Sequence, residues 1–283
     1  MPKIPSLAIA EKILRGIVTQ GIPDTSLTAV RVGDNPASIS FLRQKKQAAE
    51  KIGIRYEERV LSESATEIEV ASLLASLAKD PKVGGIILQL PLPSQLNQKQ
   101  LLQLIPSSKD VDVLSGESKQ KNYVPAPPLG VVNAILEAEK ISLTDKKVAL
   151  IGWGELIGHP IATYLAGQNI VHRIFRRSDH SLQEELNLFD VVISGTGVGS
   201  LFGPEHLKPG ALVVDFGWQK DESTGKISGD YNSKNNEEEE RKGIRATTTP
   251  GGTGPILVAK ILENFSILAD KTAPIDKSNS AML

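Results

Sequence analysis

Between Lys146 and Pro160 the chain reads KKVALIGWGELIGHP, a charged start and an apolar run followed by three glycines, Gly152, Gly154 and Gly158, placed where a strand would turn into a helix. A turn without Cβ atoms lets backbone approach a pyrophosphate, and a helix N-terminus adds N–H donors and partial positive charge. The spacing is G-x-G-x-x-x-G, however, and not the commoner G-x-G-x-x-G. A strand-to-helix turn that needs glycine for its geometry alone is the competing reading. Trp153, between the first two glycines, either shields a bound cofactor or packs on neighbouring core. One strand later, HRIFRRSD offers Arg173, Arg176 and Arg177 where an acidic residue would hydrogen-bond the ribose of NAD, with Asp179 arriving late. Guanidinium groups there suit a 2′-phosphate, which predicts NADP as the cofactor; a solvated strand end is the plainer alternative.

Periodicity supplies the elements that must hold these residues. Ile9, Ile13, Leu14 and Ile17 follow a helical period from Ile4 to about Gln20, and SLTAVRV, from Ser26 to Val32, reads as a strand. The turn GDNPAS offers Asn35 or Ser38 as cap for a helix to Ile52, with Gly53 as its stop. The helix EIEVASLLASLAKD then leads to VGGIILQLPLP, an apolar run closed by prolines, as a buried parallel strand should look. YVPAPPLG marks a boundary before a helix from Leu129 to Lys140. Beyond it, four short apolar runs (KVALIGWG, NIVHRIFRR, DVVISGTG and GALVVDFGW) alternate with a helix from Gly158 and a short one at Leu182 to Leu186. That alternation predicts a doubly wound parallel sheet. The acidic run Asn235 to Glu240 is expected to be a solvated helix start or loop, because like charges gain nothing from burial. A final helix is expected from Ile256 to about Ala269, followed by a tail, APIDKSNSAML, without fixed structure.

Composition narrows the function classes. Lys and Arg number 32 against 33 Asp and Glu, so no global field favours nucleic acid or an anionic membrane. There is no cysteine, which excludes disulfides, thiolate metal sites and cysteine nucleophiles and fits a reducing cytoplasm. The four histidines, His159, His172, His180 and His206, show no metal-ligand spacing, so no metal is expected. No leader pattern or membrane-length apolar run stands out. A soluble cytoplasmic protein is the resulting expectation.

VGDNPASISFLRQKKQAAEKIGI, GGIILQLPLP and SKDVDVL, followed in order by GWGELIGHP, ALVVDFGW and TTTPGGTGP, resemble the bifunctional methylenetetrahydrofolate dehydrogenase/methenyltetrahydrofolate cyclohydrolase family from about Ala8 to Phe265. The resemblance implies two α/β domains, the second a Rossmann-like doubly wound parallel sheet, with a cleft between them. It sets residues 1–141 and 254–283 as the catalytic, folate-binding domain and 142–253 as the NADP-binding domain. It places Lys45 on the catalytic lysine, Gln89 on the glutamine that orients it, and Asp112 on the carboxylate that grips the pterin, a group suited to accept two parallel N–H bonds. Phe41 falls on a substrate-facing tyrosine, one helical turn before Lys45, and Pro250, Gly251 and Gly252 on a substrate loop. Gly152, Trp153, Gly154, Gly158, Arg176, Arg177 and Trp218 would surround the cofactor. The implied reaction oxidises 5,10-methylenetetrahydrofolate with NADP and then hydrolyses the methenyl product to 10-formyltetrahydrofolate, in a homodimer.

Several positions depart from the family pattern. Phe41 has no phenolic hydroxyl to bond Lys45, which bears on the hydrolytic step more than on hydride transfer. PAPPLG stands where the family usually reads P-C-T-P-x-G. Trp153 and Gly154 replace a small or basic residue and a serine, Trp218 an isoleucine, and Leu257 a threonine. The chain's two tryptophans thus fall beside one expected pocket. These departures leave a second reading open, a divergent paralogue that binds folate or a nucleotide without turnover.

Overall fold

The computed structural model describes residues 3–121, 123–221, 224–232 and 236–270. The tail expected to lack fixed structure, and Asn235 of the acidic run, lie outside them. The chain divides into two units, one of residues 11–127 and 258–270, the other of 3–10 and 128–257.

The first unit holds most of helix α1 (Ser6–Gln20), strand β1 (Ser26–Val32), α2 (Pro36–Lys51), β2 (Arg55–Leu61), α3 (Glu67–Lys79), β3 (Val83–Leu88), α4 (Gln98–Leu102) and α5 (Gly116–Lys121). Its sheet has the order β2-β1-β3, all parallel. α2 starts where expected, with the Asn35 side chain accepting from the N–H groups of Ala37 and Ser38, and it ends before Gly53 at φ +87°. Val30, Val32, Ile86 and Leu88 pack on Val70 and Leu74 of α3, so α3 covers one face. On the other face of β3, a Cβ at Gly85 would stand 2.8 Å from both Phe265 and Val111, so this glycine lets those two residues seat directly on the strand. Periodicity missed β2. Its sequence, RYEERVL, is an outer strand with charges on both faces, so it carries no apolar alternation.

The second unit begins, after the opening of α1, with α6 (Pro127–Ala138), β4 (Val148–Ile151), α7 (Gly158–Gly167), β5 (His172–Phe175), α8 (Leu182–Glu185), β6 (Val191–Ser194) and β7 (Leu212–Asp215). A two-stranded ribbon, β8 (Gln219–Lys220) and β9 (Ile227–Ser228), precedes α9 (Asn236–Lys242), β10 (Arg245–Ala246) and the start of α10 (Thr253–Ala269). The sheet is parallel throughout in the order β10-β7-β6-β4-β5. β4, β6 and β7 are fully buried, which is why their runs are apolar up to Ser194 and Asp215, the residues that end β6 and β7. The fifth strand, β10, is two residues long and beyond the reach of periodicity. The acidic run forms the start of a helix, as expected, with Glu237 and Glu240 exposed, but Glu239 is buried in α9 beside Tyr231, and burial pushes its carboxyl above the usual range. Desolvation there favours the neutral acid, so the residue need not carry a charge into the core. Among the described residues no helix is long and apolar enough to cross a membrane, and no group of three or more His, Asp or Glu is placed to hold a metal ion.

Candidate active site and dinucleotide site

In the first unit, α2 and the end of β3 bring Lys45 and Gln89 together. The Gln89 backbone N–H bonds the Val30 carbonyl, and its side-chain N–H bonds the Leu90 carbonyl at 2.6 Å. That second bond fixes the amide's orientation and turns Oε1 toward Lys45, whose Nζ donates to it at 3.3 Å. Gln89 is buried and Lys45 half-buried. Asp112 lies close enough for the Lys45 charge to act on it, as does Asp110. Desolvation pushes the Asp112 carboxyl above its ordinary range, Lys45 opposes the rise, and Asp110 adds to it. A carboxylate in this balance gains from any ligand that donates N–H bonds to it.

The backbone around Asp112 is tied down from several sides. Asp110 bridges to Ile86 of β3 and accepts the Ser115 N–H at 2.8 Å. Asn264, on α10, donates to the carbonyls of Val111 and Pro125, both at 2.9 Å. Sequence reasoning missed Asn264; its only signal was a polar residue on the apolar side of an amphipathic helix. Phe41 is 40% exposed, one turn before Lys45 on α2. A separate cavity of about 540 Å³ opens at the opposite end of this sheet, between Pro23, Thr25, Gly84 and Leu268, where the parallel strands begin.

The glycines of the second unit divide their work. Gly152, at φ +100°, ends β4 in a conformation that side chains rarely adopt. Gly158 opens α7 so close to that turn that a Cβ would stand 2.9 Å from the Gly152 carbonyl carbon and 3.0 Å from Trp153 Cα. Gly154, by contrast, has open space around it. Among the described residues no side chain caps the N-terminus of α7; the His159 N–H bonds the Gly154 carbonyl at 3.0 Å.

Trp153 is 40% exposed rather than packed into the core. The Arg176 guanidinium lies over its ring at 5.0 Å from the centroid, and His159 meets it edge-on at 5.3 Å and 71°. The Arg176 backbone N–H bonds Asp179 at 2.6 Å, so this carboxylate shapes the turn after β5. Arg173 is turned away, paired with Glu185 and lying over Phe175. Arg177 is exposed on the same turn as Arg176.

Trp218 follows β7, at the same end of the parallel sheet as Trp153, and is also 40% exposed. Its loop is locked by two buried carboxylates. Asp215 accepts the N–H groups of Gly217 (2.7 Å) and Tyr231 (3.0 Å), and Asp230 accepts Ser194 Oγ (2.6 Å) and the Thr196 N–H (2.7 Å). A Cβ at Gly217 would collide with Asp230, and one at Gly229 with Asp215. Burial, with Asp230 close by, pushes Asp215 up to about 6. Pro250, Gly251 and Gly252 lie in this second unit, after a cis Thr249–Pro250 bond and with Gly251 at φ +90°, and the Thr253 hydroxyl bonds the Asp215 carbonyl at 3.1 Å.

A parallel sheet ending in a glycine turn, a helix without a side-chain cap and an arginine-bearing turn defines a dinucleotide-binding α/β unit, joined in one chain to an α/β unit with a lysine–glutamine–aspartate cluster. The chain belongs to the tetrahydrofolate dehydrogenase/cyclohydrolase family: residues 6–112 match the model of its catalytic domain and residues 125–273 that of its NAD(P)-binding domain. It is 36% identical over 253 residues to the bifunctional protein FolD of Staphylococcus carnosus, covering 87% of this chain and 86% of that one. The crystal structure of the bifunctional FolD methylenetetrahydrofolate dehydrogenase/cyclohydrolase from Campylobacter jejuni superposes with a TM-score of 0.87 at 32% identity, covering 96% and 100% of the two chains. The Trypanosoma brucei methylenetetrahydrofolate dehydrogenase-cyclohydrolase, solved with NADP and an inhibitor, shares the fold at 24% identity and a TM-score of 0.86 over 96% and 99%.

Proposed function

We infer that this chain oxidises 5,10-methylenetetrahydrofolate with NADP and hydrolyses the resulting methenyl compound to 10-formyltetrahydrofolate. The observation that carries this reading is the Lys45–Gln89 hydrogen bond with the Asp112 carboxylate beside it. Asp112 would accept paired N–H groups from the aminopyrimidine edge of the pterin, and Phe41 would stack on its ring. NADP, when bound, accepts the hydride from the methylene carbon, leaving a methenyl cation. Hydrolysis then needs a water to add to that carbon and to lose a proton. Lys45, oriented by Gln89, is the group suited to manage that proton.

The second unit would hold the cofactor. Gly152 and Gly158 shape the turn, the N-terminus of α7 takes the pyrophosphate, and Arg176 with Arg177 takes the 2′-phosphate, Trp153 serving as the platform on which Arg176 lies. The pattern thereby favours NADP over NAD. Trp218 and the Pro250–Gly252 turn are assigned to the cofactor and substrate sides respectively, in line with the resemblance. The absence of cysteine and the balanced charge support a cytoplasmic setting. β5 forms an outer edge of its sheet with Val171 beside it 63% exposed, which supports pairing of two copies through this unit.

The test is the absorbance of methenyltetrahydrofolate as it forms with NADP and as it decays. Wild-type protein should show both steps. Lys45→Ala should slow the decay by about 10²–10⁴-fold while NADP affinity stays unchanged. Absence of NADP-dependent formation in the wild type would refute the enzymatic reading; lost NADP binding in Lys45→Ala would refute the division of roles.

A further inference from the structure

Tyr56 is a residue that neither periodicity nor the family pattern brought forward. It sits on β2 in register with Leu27 of β1. Because side chains alternate along a strand, Tyr56 and Glu58 point to the face opposite Leu61, which packs with the α3 cluster. The crossovers β1–α2–β2 and β2–α3–β3 run in opposite directions along the sheet, so with a common handedness α2 and α3 cover opposite faces. Tyr56 therefore points into the face covered by α2, the helix that carries Lys45 and packs on β2.

The Tyr56 hydroxyl is buried and has no hydrogen-bond partner among the described residues. Such a group is costly and calls for an explanation. Two carboxylates act on it, Glu58 on its own strand and Asp112; with desolvation as the main cause, they push the phenol's pKa upward. Glu58 is already held by Arg31 of β1 at 3.0 Å. Asp112, facing Lys45 from α2 and Asp110 from its own segment, is the acceptor with most to gain, since a donor would offset its desolvation. Phe41, a turn before Lys45, has no hydroxyl to offer, so the phenol near this cluster comes from the sheet instead of the helix.

We propose that Tyr56 is a positioning residue of the folate site, whose hydroxyl donates to the Asp112 carboxylate, through one water or after a small side-chain shift, and keeps it ionised and oriented toward the N–H pair of the ligand. The proposal rests on the assignment of Asp112 to folate. Calorimetric titration with tetrahydrofolate between pH 5 and 8 tests it on the full chain. Tyr56→Phe keeps the ring and removes only the donor. It should bind about ten-fold more weakly near neutral pH, and its acid limb should move to higher pH by about half a unit or more, because the carboxylate loses stabilisation of its charged form. KM for the folate substrate should rise with kcat nearly unchanged. In an Asp112→Asn background the Tyr56→Phe change should have no further effect. Unchanged affinity and an unmoved limb in Tyr56→Phe would overturn the proposal, even with a lowered Tm, which is what a purely packing role would give. So would a Tyr56→Phe effect that persists in Asp112→Asn. Wild-type protein that does not bind tetrahydrofolate overturns this inference and the functional reading together; binding without turnover overturns the activity alone.

Discussion

Arg176 shows how one side chain's use depends on its neighbours. Three arginines fall within five positions in and just after β5, and local pattern alone offers all three to a phosphate; the structure gives Arg173 to Glu185 and lays Arg176 on Trp153. A guanidinium stacked on an indole is pre-oriented, so less freedom is lost when it bonds a phosphate. Arg176→Ala should weaken NADP binding by about ten-fold or more, the worth of a charge-assisted hydrogen bond, and leave NAD binding nearly untouched. Trp153→Ala should cost only a few-fold, in line with about 0.5–1 kcal/mol for an exposed cation–π contact. Equal losses for both cofactors in Arg176→Ala, measured by fluorescence titration, would remove the 2′-phosphate assignment.

The junction of β4 and α7 is where glycine matters, and it matters unequally. Gly158→Ala would push the helix away from the Gly152 carbonyl, an overpacking that typically costs about 1–3 kcal/mol. The expected result is a lower Tm together with weakened binding of any dinucleotide, because the turn and the helix N-terminus move apart. Gly154→Ala meets nothing among the described residues and should leave Tm unchanged. A drop in dinucleotide affinity for that variant would mean that the ligand itself approaches residue 154. Thermal melts and titrations of the two variants separate helix packing from ligand approach, and equal Tm values would contradict the close seating of Gly158 against the Gly152 turn.

For the whole molecule, the buried pair Asp215 and Asp230 sets a pH dependence of stability. Asp215 has a folded pKa of about 6, raised above an unfolded value near 3.9. The folded state therefore binds this proton more tightly, and the associated stability is full below about pH 4 and is lost as pH rises through about 6. Asp230→Asn removes the neighbouring charge, so Asp215 should titrate lower, and the fall in stability between pH 4 and 6 should become shallower in denaturant titrations. A steeper fall would contradict the arrangement. The α/β class, the apolar strands β1, β3, β4, β6 and β7, the Asn35 cap and the glycine turn could all be read from the chain, because these are written in local periodicity and in backbone chemistry that few residue types satisfy. The roles proposed for Lys45, Gln89 and Asp112 rest on family resemblance, since a lysine on a charged helix and an acid in a loop have no local signature. It took folding in three dimensions to settle which arginine lies on Trp153, that Glu239 is buried, that β2 and β10 join their sheets, and that Tyr56, Asn264 and Asp230 stand where they do. Those outcomes depend on which side chains meet across elements distant in sequence, and pairing of that kind leaves no period to read.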